Sequence, residues 1–294
     1  MIQKTNQSII ETTVNSAIKR IQNDPERSIR NLVDMALMFC NGRFQKRFFE
    51  VAQKMLEDED SSYYRLIPDI ISNVESARIT SFGINVGYHS CTRGARTIRK
   101  IKTEQDLDIP WCMNLEIDSG KEDTYISFIK EKENQGIYTW FLNPRHDILS
   151  VIDIAKQFPD SAFIIICDPE DISEIVLDEF SEIYNIMFAV NYGNKIDNAC
   201  SLLRKRRFLF SIIYNYGEQD YENIINGSIL TDLSSLHGVF SFFLSDRSIS
   251  PEQEKEIFEY VQNTRYEQCF QTVPIDLIYD IQYINNIISL VPKD

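Results

Sequence analysis

The sequence predicts an α/β protein: a TIM-like (β/α) barrel of six to eight parallel strands, preceded by an all-helical segment. Three observations predict it. From residue 78 onward, apolar runs rich in Ile, Val and Phe recur about every 25–30 residues. Between those runs lie stretches with helical spacing of apolar residues. The runs are apolar on both faces, as strands must be when helices joining them cover a parallel sheet through right-handed crossovers. No low-complexity linker interrupts the chain, so the division is a helical cap over 1–75 and a barrel over 76–294.

In the first part, four helices are expected. Ile10, Val14, Ala17, Ile18 and Ile21 form the first stripe. Asp24-Pro25 supplies a cap and a first-turn proline for the second, which carries Ile29, Leu32, Val33, Ala36, Leu37 and Cys40. Phe44, Phe48, Val51, Ala52, Met55 and Leu56 make the third, and Leu66, Ile67, Ile70, Ile71 and Val74 the fourth. The strands expected next are 79–86, 111–117, 138–142, 162–167, 186–190, 208–214, 239–244 and 270–275. Helices are expected at 124–132, 148–157, 172–184, 196–206 and 251–264.

Composition narrows the function classes. The 294 residues carry a net charge of −14, and residues 1–75 hold 10 Lys/Arg against 11 Asp/Glu, so the acidity lies in the later part. An acidic surface repels phosphate backbones, which argues against a nucleic-acid partner. No apolar run is long enough to span a bilayer and no apolar leader opens the chain, so no membrane partner and a cytoplasmic location are expected. Six cysteines without a CxxC pair fit reduced thiols. The chain has no P-loop, GxGxxG, GxSxG or HExxH.

In a parallel barrel, chemistry gathers at the strands' C-terminal ends. Those ends read Tyr88-His89-Ser90-Cys91, then Asn114, Glu116 and Asp118, then Asn143-Pro144-Arg145-His146-Asp147. Further on come Asp168-Pro169-Glu170-Asp171, Asn191-Tyr192, Tyr214-Asn215-Tyr216 and Ser245-Asp246-Arg247. His89, Glu116, His146 and Asp168 are the candidate catalytic residues. Two imidazoles and two carboxylates on one rim have the chemistry of a general acid and base, or of a divalent-metal site. Tyr88, Cys91, Arg93, Asn191 and Tyr214 are the candidate ligand-binding residues, with Arg93 at a helix N-terminus adding positive potential. His237 precedes its strand and belongs at the opposite edge, as does the basic run Arg204-Lys205-Arg206-Arg207.

A helical front, a first strand opening into a loop that contains Cys91, and a run of βα units together resemble the radical SAM enzymes. Members of that superfamily hold a [4Fe–4S] cluster with CxxxCxxC on the loop after the first strand. The partners of Cys91 are missing in every register: Ala95 and Ile98, Gly87 and Gly94, or Ile84 and Tyr88. The resemblance therefore implies a cluster-free relative that binds a small carboxylate-bearing molecule or a peptide at the barrel rim, Cys91 being a remnant. A metal-dependent or acid/base barrel hydrolase or lyase, and a non-catalytic scaffold for a protein partner, are the alternatives. The sequence names no cofactor.

Overall fold

A computed structural model describes residues 61–290, together with Thr12, Ser16 and Gln53. The apolar stripes of the first three expected helices of the cap lie outside the described residues. The fourth is present as α1, Tyr63–Asn73, which buries Leu66 and Ile71.

The stretch expected to be the first strand is helical. Helix α2 spans Ser76–Ile84, a π-helical segment continues it over Asn85–Gly94, and α3 follows over Ala95–Gln105. The run ends at Asp106, whose backbone is left-handed with φ 53°. The physical reason is an ambiguity of period. Ile79, Phe82 and Val86 are three and four residues apart, so they share one helix face as readily as they fill a strand. All three pack into the same apolar cluster. Asn85 anchors the segment, its amide donating to the carbonyls of Pro159 and Ser161 at 2.8 Å each.

The seven remaining expected strands form, with small shifts of boundary. They are β1 Cys112–Ile117, β2 Thr139–Pro144, β3 Ala162–Cys167, β4 Ile186–Asn191, β5 Phe210–Tyr216, β6 Phe240–Ser245 and β7 Val273–Asp276. All neighbours pair in parallel, in the order β1-β2-β3-β4-β5-β6-β7. The sheet does not close: it is a curled half-barrel of α/β class, not a complete TIM-like barrel. With the first expected strand turned into helix, no strand among the described residues pairs with both β1 and β7.

Between the strands run α4 Glu122–Asn134, α5 Ile152–Gln157, α6 Glu174–Glu179, α7 Ile196–Lys205, α8 Tyr221–Ile225, α9 Ser228–Ser235 and α10 Pro251–Glu267; α11, Leu277–Ser289, follows β7. Side chains alternate across each strand. Trp140, Leu142, Phe163, Ile165, Phe188, Val190, Ile212 and Phe243 face the convex side and pack with the crossover helices. Phe141, Ile164, Met187, Ala189, Ile213 and Phe242 face the concave side, where Phe82, Ile98, Leu277 and Ile288 of α2, α3 and α11 cover them. Arg99 donates to the carbonyl of Ile288 at 3.2 Å, and the Trp111 amide donates to Asn285 at 2.9 Å, which ties α3 and β1 to α11. Among the described residues, no helix is long and apolar enough to cross a membrane.

Candidate functional site

The concave face changes character along each of β1 to β5. Toward the strands' N-terminal ends it is apolar and covered; toward the C-terminal ends it is polar and open. Strand alternation puts Asn114 and Glu116 on the face of Cys112, Asn143 on that of Phe141, and Asp168 on that of Ile164 and Ile166. By the same rule Asn191 shares the face of Met187 and Ala189, and Asn215 that of Ile213. Hydrogen bonds show the row is continuous on one side. The Asn191 amide donates to Asp168 Oδ1 at 2.8 Å, and the Asn215 amide donates to Asn191 Oδ1 at 3.4 Å. Glu116 lies opposite Asn143 in the β1–β2 register. Glu116, Asp168 and Asn215 are exposed, and Asn143 and Asn191 are half-buried.

Charge at this edge is largely paired. Arg145 bonds Glu116 and also reaches Asp118 at 3.7 Å, while Lys121 holds Asp118 at 3.0 Å. The Lys121 ammonium, with Arg145 and His146 nearby, lowers the Asp118 pKa from its ordinary value. Lys195 pairs with Glu170 at 3.3 Å. Asp168 stands apart: it accepts from a neutral amide, and among the described residues no lysine or arginine pairs with it.

Of the expected site residues, the structure brings Glu116, Asp168 and Asn191 onto this row. His146 lies beside it on the exposed turn after β2, near Asp118. Tyr214 belongs to the other face: it is buried in the convex core and its hydroxyl donates to Asp220 at 3.0 Å. Asn215, the next residue, takes the place expected of it. Burial also pushes the Tyr214 hydroxyl well above the usual range.

The remaining four candidates sit at the wrong edge. Because 85–94 is π-helical and not a loop after a strand, Tyr88, His89, Cys91 and Arg93 lie beside residues that precede β2 and β3. His89 is buried and comes within 3.7 Å of Asp160, with its ring 5.9 Å from that of Tyr138. Arg93 pairs with the same Asp160 at 3.3 Å and lies over the Tyr138 ring. Tyr88 meets His89 edge-on at 5.3 Å. Gly94 closes the segment where its backbone meets Gly136; a Cβ there would lie 2.2 Å from the Gly136 oxygen. The two imidazoles of the expected acid/base or metal site are therefore at opposite ends of the sheet.

Cys91 stands in the π-helical segment and not in a loop after a strand. Burial pushes its thiol up to about 12, away from the thiolate that ligates iron or attacks a substrate. Among the described residues no group of three His, Cys, Asp or Glu side chains is placed to hold a metal ion. The residues do not fit an iron–sulfur centre.

The opposite edge otherwise carries structural ion pairs, as the sequence implies. Arg204 pairs with Asp69 through both nitrogens at 2.5 and 2.7 Å, and His237 lies 3.7 Å from the same carboxylate. Lys205 and Arg206 hold Glu174.

No family model matches the chain, and no curated protein matches it. Two solved structures share part of its outline. The crystal structure of Streptococcus suis SuiB aligns at a TM-score of 0.47 and 9% identity, over 62% of this chain and 52% of that one. The chain thus spans about half the length of SuiB. A structural study from Aquifex aeolicus VF5 aligns at 0.36 and 14% identity, over 67% of this chain and 96% of that one. At such identities and scores neither assigns a function.

Proposed function

We propose that this protein is a binding protein whose ligand, a peptide or a small molecule, lies on the open polar row of the concave face. The observation that carries the reading is the switch along single strands from a filled apolar surface to a polar row, Glu116, Asn143, Asp168, Asn191 and Asn215, in which three are exposed and two half-buried. Those side chains offer both donors and acceptors on a concave wall, the arrangement that orients a ligand. The carboxylate-bearing ligand expected from the sequence rested on Arg93, which pairs with Asp160 at the other edge.

The side-chain amide resonances of Asn143, Asn191 and Asn215 test the reading. Bound members of a mixed panel of short peptides, amines and carboxylates are expected to shift the three together. Ligands that bind while leaving all three unmoved overturn it.

A cluster-free relation to the radical SAM barrels belongs to the same proposal. The parallel half-barrel and the missing CxxxCxxC support it; the cysteine loop does not. Anaerobic reconstitution with iron and sulfide is expected to leave no stoichiometric [4Fe–4S] absorbance, and a cluster lost on Cys91→Ala would refute the assignment.

A further inference from the structure

The polar row has a length and a charge, and both constrain what fits it. From Glu116 on β1 to Asn215 on β5 it crosses four strand spacings, about 19 Å at the usual separation of about 4.8 Å. A single small molecule covers a fraction of that; an extended chain of about six residues covers it at about 3.3 Å per residue. The row's centre matches such a chain chemically. A primary amide carries donors and an acceptor together, the same complement as a peptide bond, and Asn143, Asn191 and Asn215 present three of them.

Charge then selects the side chains. At the ends of β1 to β4 stand Glu116, Asp118, Glu170, Asp168 and Asp171, against Lys121, Arg145 and Lys195. The three cations are already engaged by Glu116, Asp118 and Glu170. Asp171 is engaged by the Asp168 backbone amide at 2.8 Å. Asp168, exposed in mid-row, accepts from the Asn191 amide and, in a capping box, from the Asp171 backbone, and no lysine or arginine among the described residues pairs with it. A cationic side chain on the ligand would form a charge-assisted bond there, in the field of a chain whose net charge is −14.

We infer that the occupant of the row is an extended peptide segment of about six residues that presents a Lys or Arg side chain to Asp168. The inference rests on the binding reading above and narrows it to one ligand class.

The test uses the full chain and fluorescence anisotropy. The probes are a blocked six-residue alternating lysine–alanine peptide, its glutamate–alanine counterpart, and spermine as an unlabelled competitor. The lysine peptide is expected to bind and the glutamate peptide not. Asp168→Asn, which keeps the side chain's shape and its acceptor oxygen, is expected to weaken binding about tenfold, the loss of one charge-assisted contact. Glu267→Gln, at the opposite edge, is expected to leave it unchanged. Equal effects of both substitutions, or none from either, would mean diffuse attraction to an acidic surface and overturn the inference. So would preference for the glutamate peptide, or displacement by spermine at the peptide's own concentration. If neither peptide binds while other compounds shift the three asparagine amides, the peptide assignment fails and the binding face stands. If nothing shifts those amides, both fail.

Discussion

The two halves of the concave face are built by the same strands with the same alternation, yet one is core and the other is surface. The change takes two residues on β2, β4 and β5: Phe141 to Asn143, Ala189 to Asn191, Ile213 to Asn215. Below that line the helices α2, α3 and α11 dock because apolar area leaves water. Above it, covering the row would strip water from amides and carboxylates without replacing every hydrogen bond, which costs free energy per group. The helices cover the face as far as burial is favourable. Stability is thus concentrated at the lower half, and the upper half is left wet.

That division predicts where mutations hurt. The largest loss is expected at the lower edge, from Arg78→Ala. The Arg78 side chain is 2% exposed, donates to the carbonyls of Ile183 at 2.6 Å and Ser181 at 2.7 Å, and stacks on Phe208. Its removal leaves buried carbonyls unpaired and a hole against Phe208, together about 3–5 kcal/mol in denaturant unfolding. A cost below about 1 kcal/mol would mean the lower edge tolerates disruption as a surface does. Ile98→Ala, a fully enclosed side chain of α3 in the concave core, follows at about 3 kcal/mol.

Much of this fold is legible in the sequence, and its one missed element has an identifiable source. Seven strands are recognisable because Phe163–Ile164–Ile165–Ile166 and Phe188–Ala189–Val190 are apolar on both faces, and a sheet sandwiched between helices needs that. The eighth fails because Phe82, Ile84 and Val86 fit a period of two while Ile79, Phe82 and Val86 fit one helix face, and only the packing of α2 decides between them. That one misreading carries Tyr88, His89, Cys91 and Arg93 to the wrong edge. At the site, residue types at strand ends are visible but the face is not: Tyr214 and Asn215 are neighbours, and which one points inward depends on register.

A carboxylate at the same edge but on the other face sharpens the comparison between wet and dry. Asp276, at the end of β7, is buried, caps α11 through the amides of Ile278 and Tyr279, and meets the Tyr216 hydroxyl at 3.4 Å. Burial raises its pKa from 3.8 to about 6, against the two capping bonds, with Asp280 and Glu254 adding repulsion. Its folded pKa lies above its unfolded one, so the protonated form is favoured by folding. The stabilisation is complete below about pH 4 and is lost as pH rises through about 6. At most about 3 kcal/mol is involved, at 1.36 kcal/mol per unit. Asp276→Asn, which still caps the helix, is expected to remove that slope between pH 4 and 6. An unchanged slope would place Asp276 in water, like Asp168.

The smallest effect on folding is expected where the effect on binding is expected to be large. Asn215 is exposed, and its side-chain hydrogen bond to Asn191 is long, at 3.4 Å. Replacing it with isosteric Leu removes one weak contact between groups that water already satisfies, so unfolding should move by no more than about 0.5 kcal/mol. A ligand's peptide bond at that place, however, would be desolvated against a side chain that cannot pair with it, and affinity for the lysine–alanine peptide should fall about fivefold or more, the cost of about 1 kcal/mol. If Asn215→Leu instead destabilised the fold as Ile98→Ala does, the row would be part of the core. The boundary drawn between Ile213 and Asn215 would then be in the wrong place.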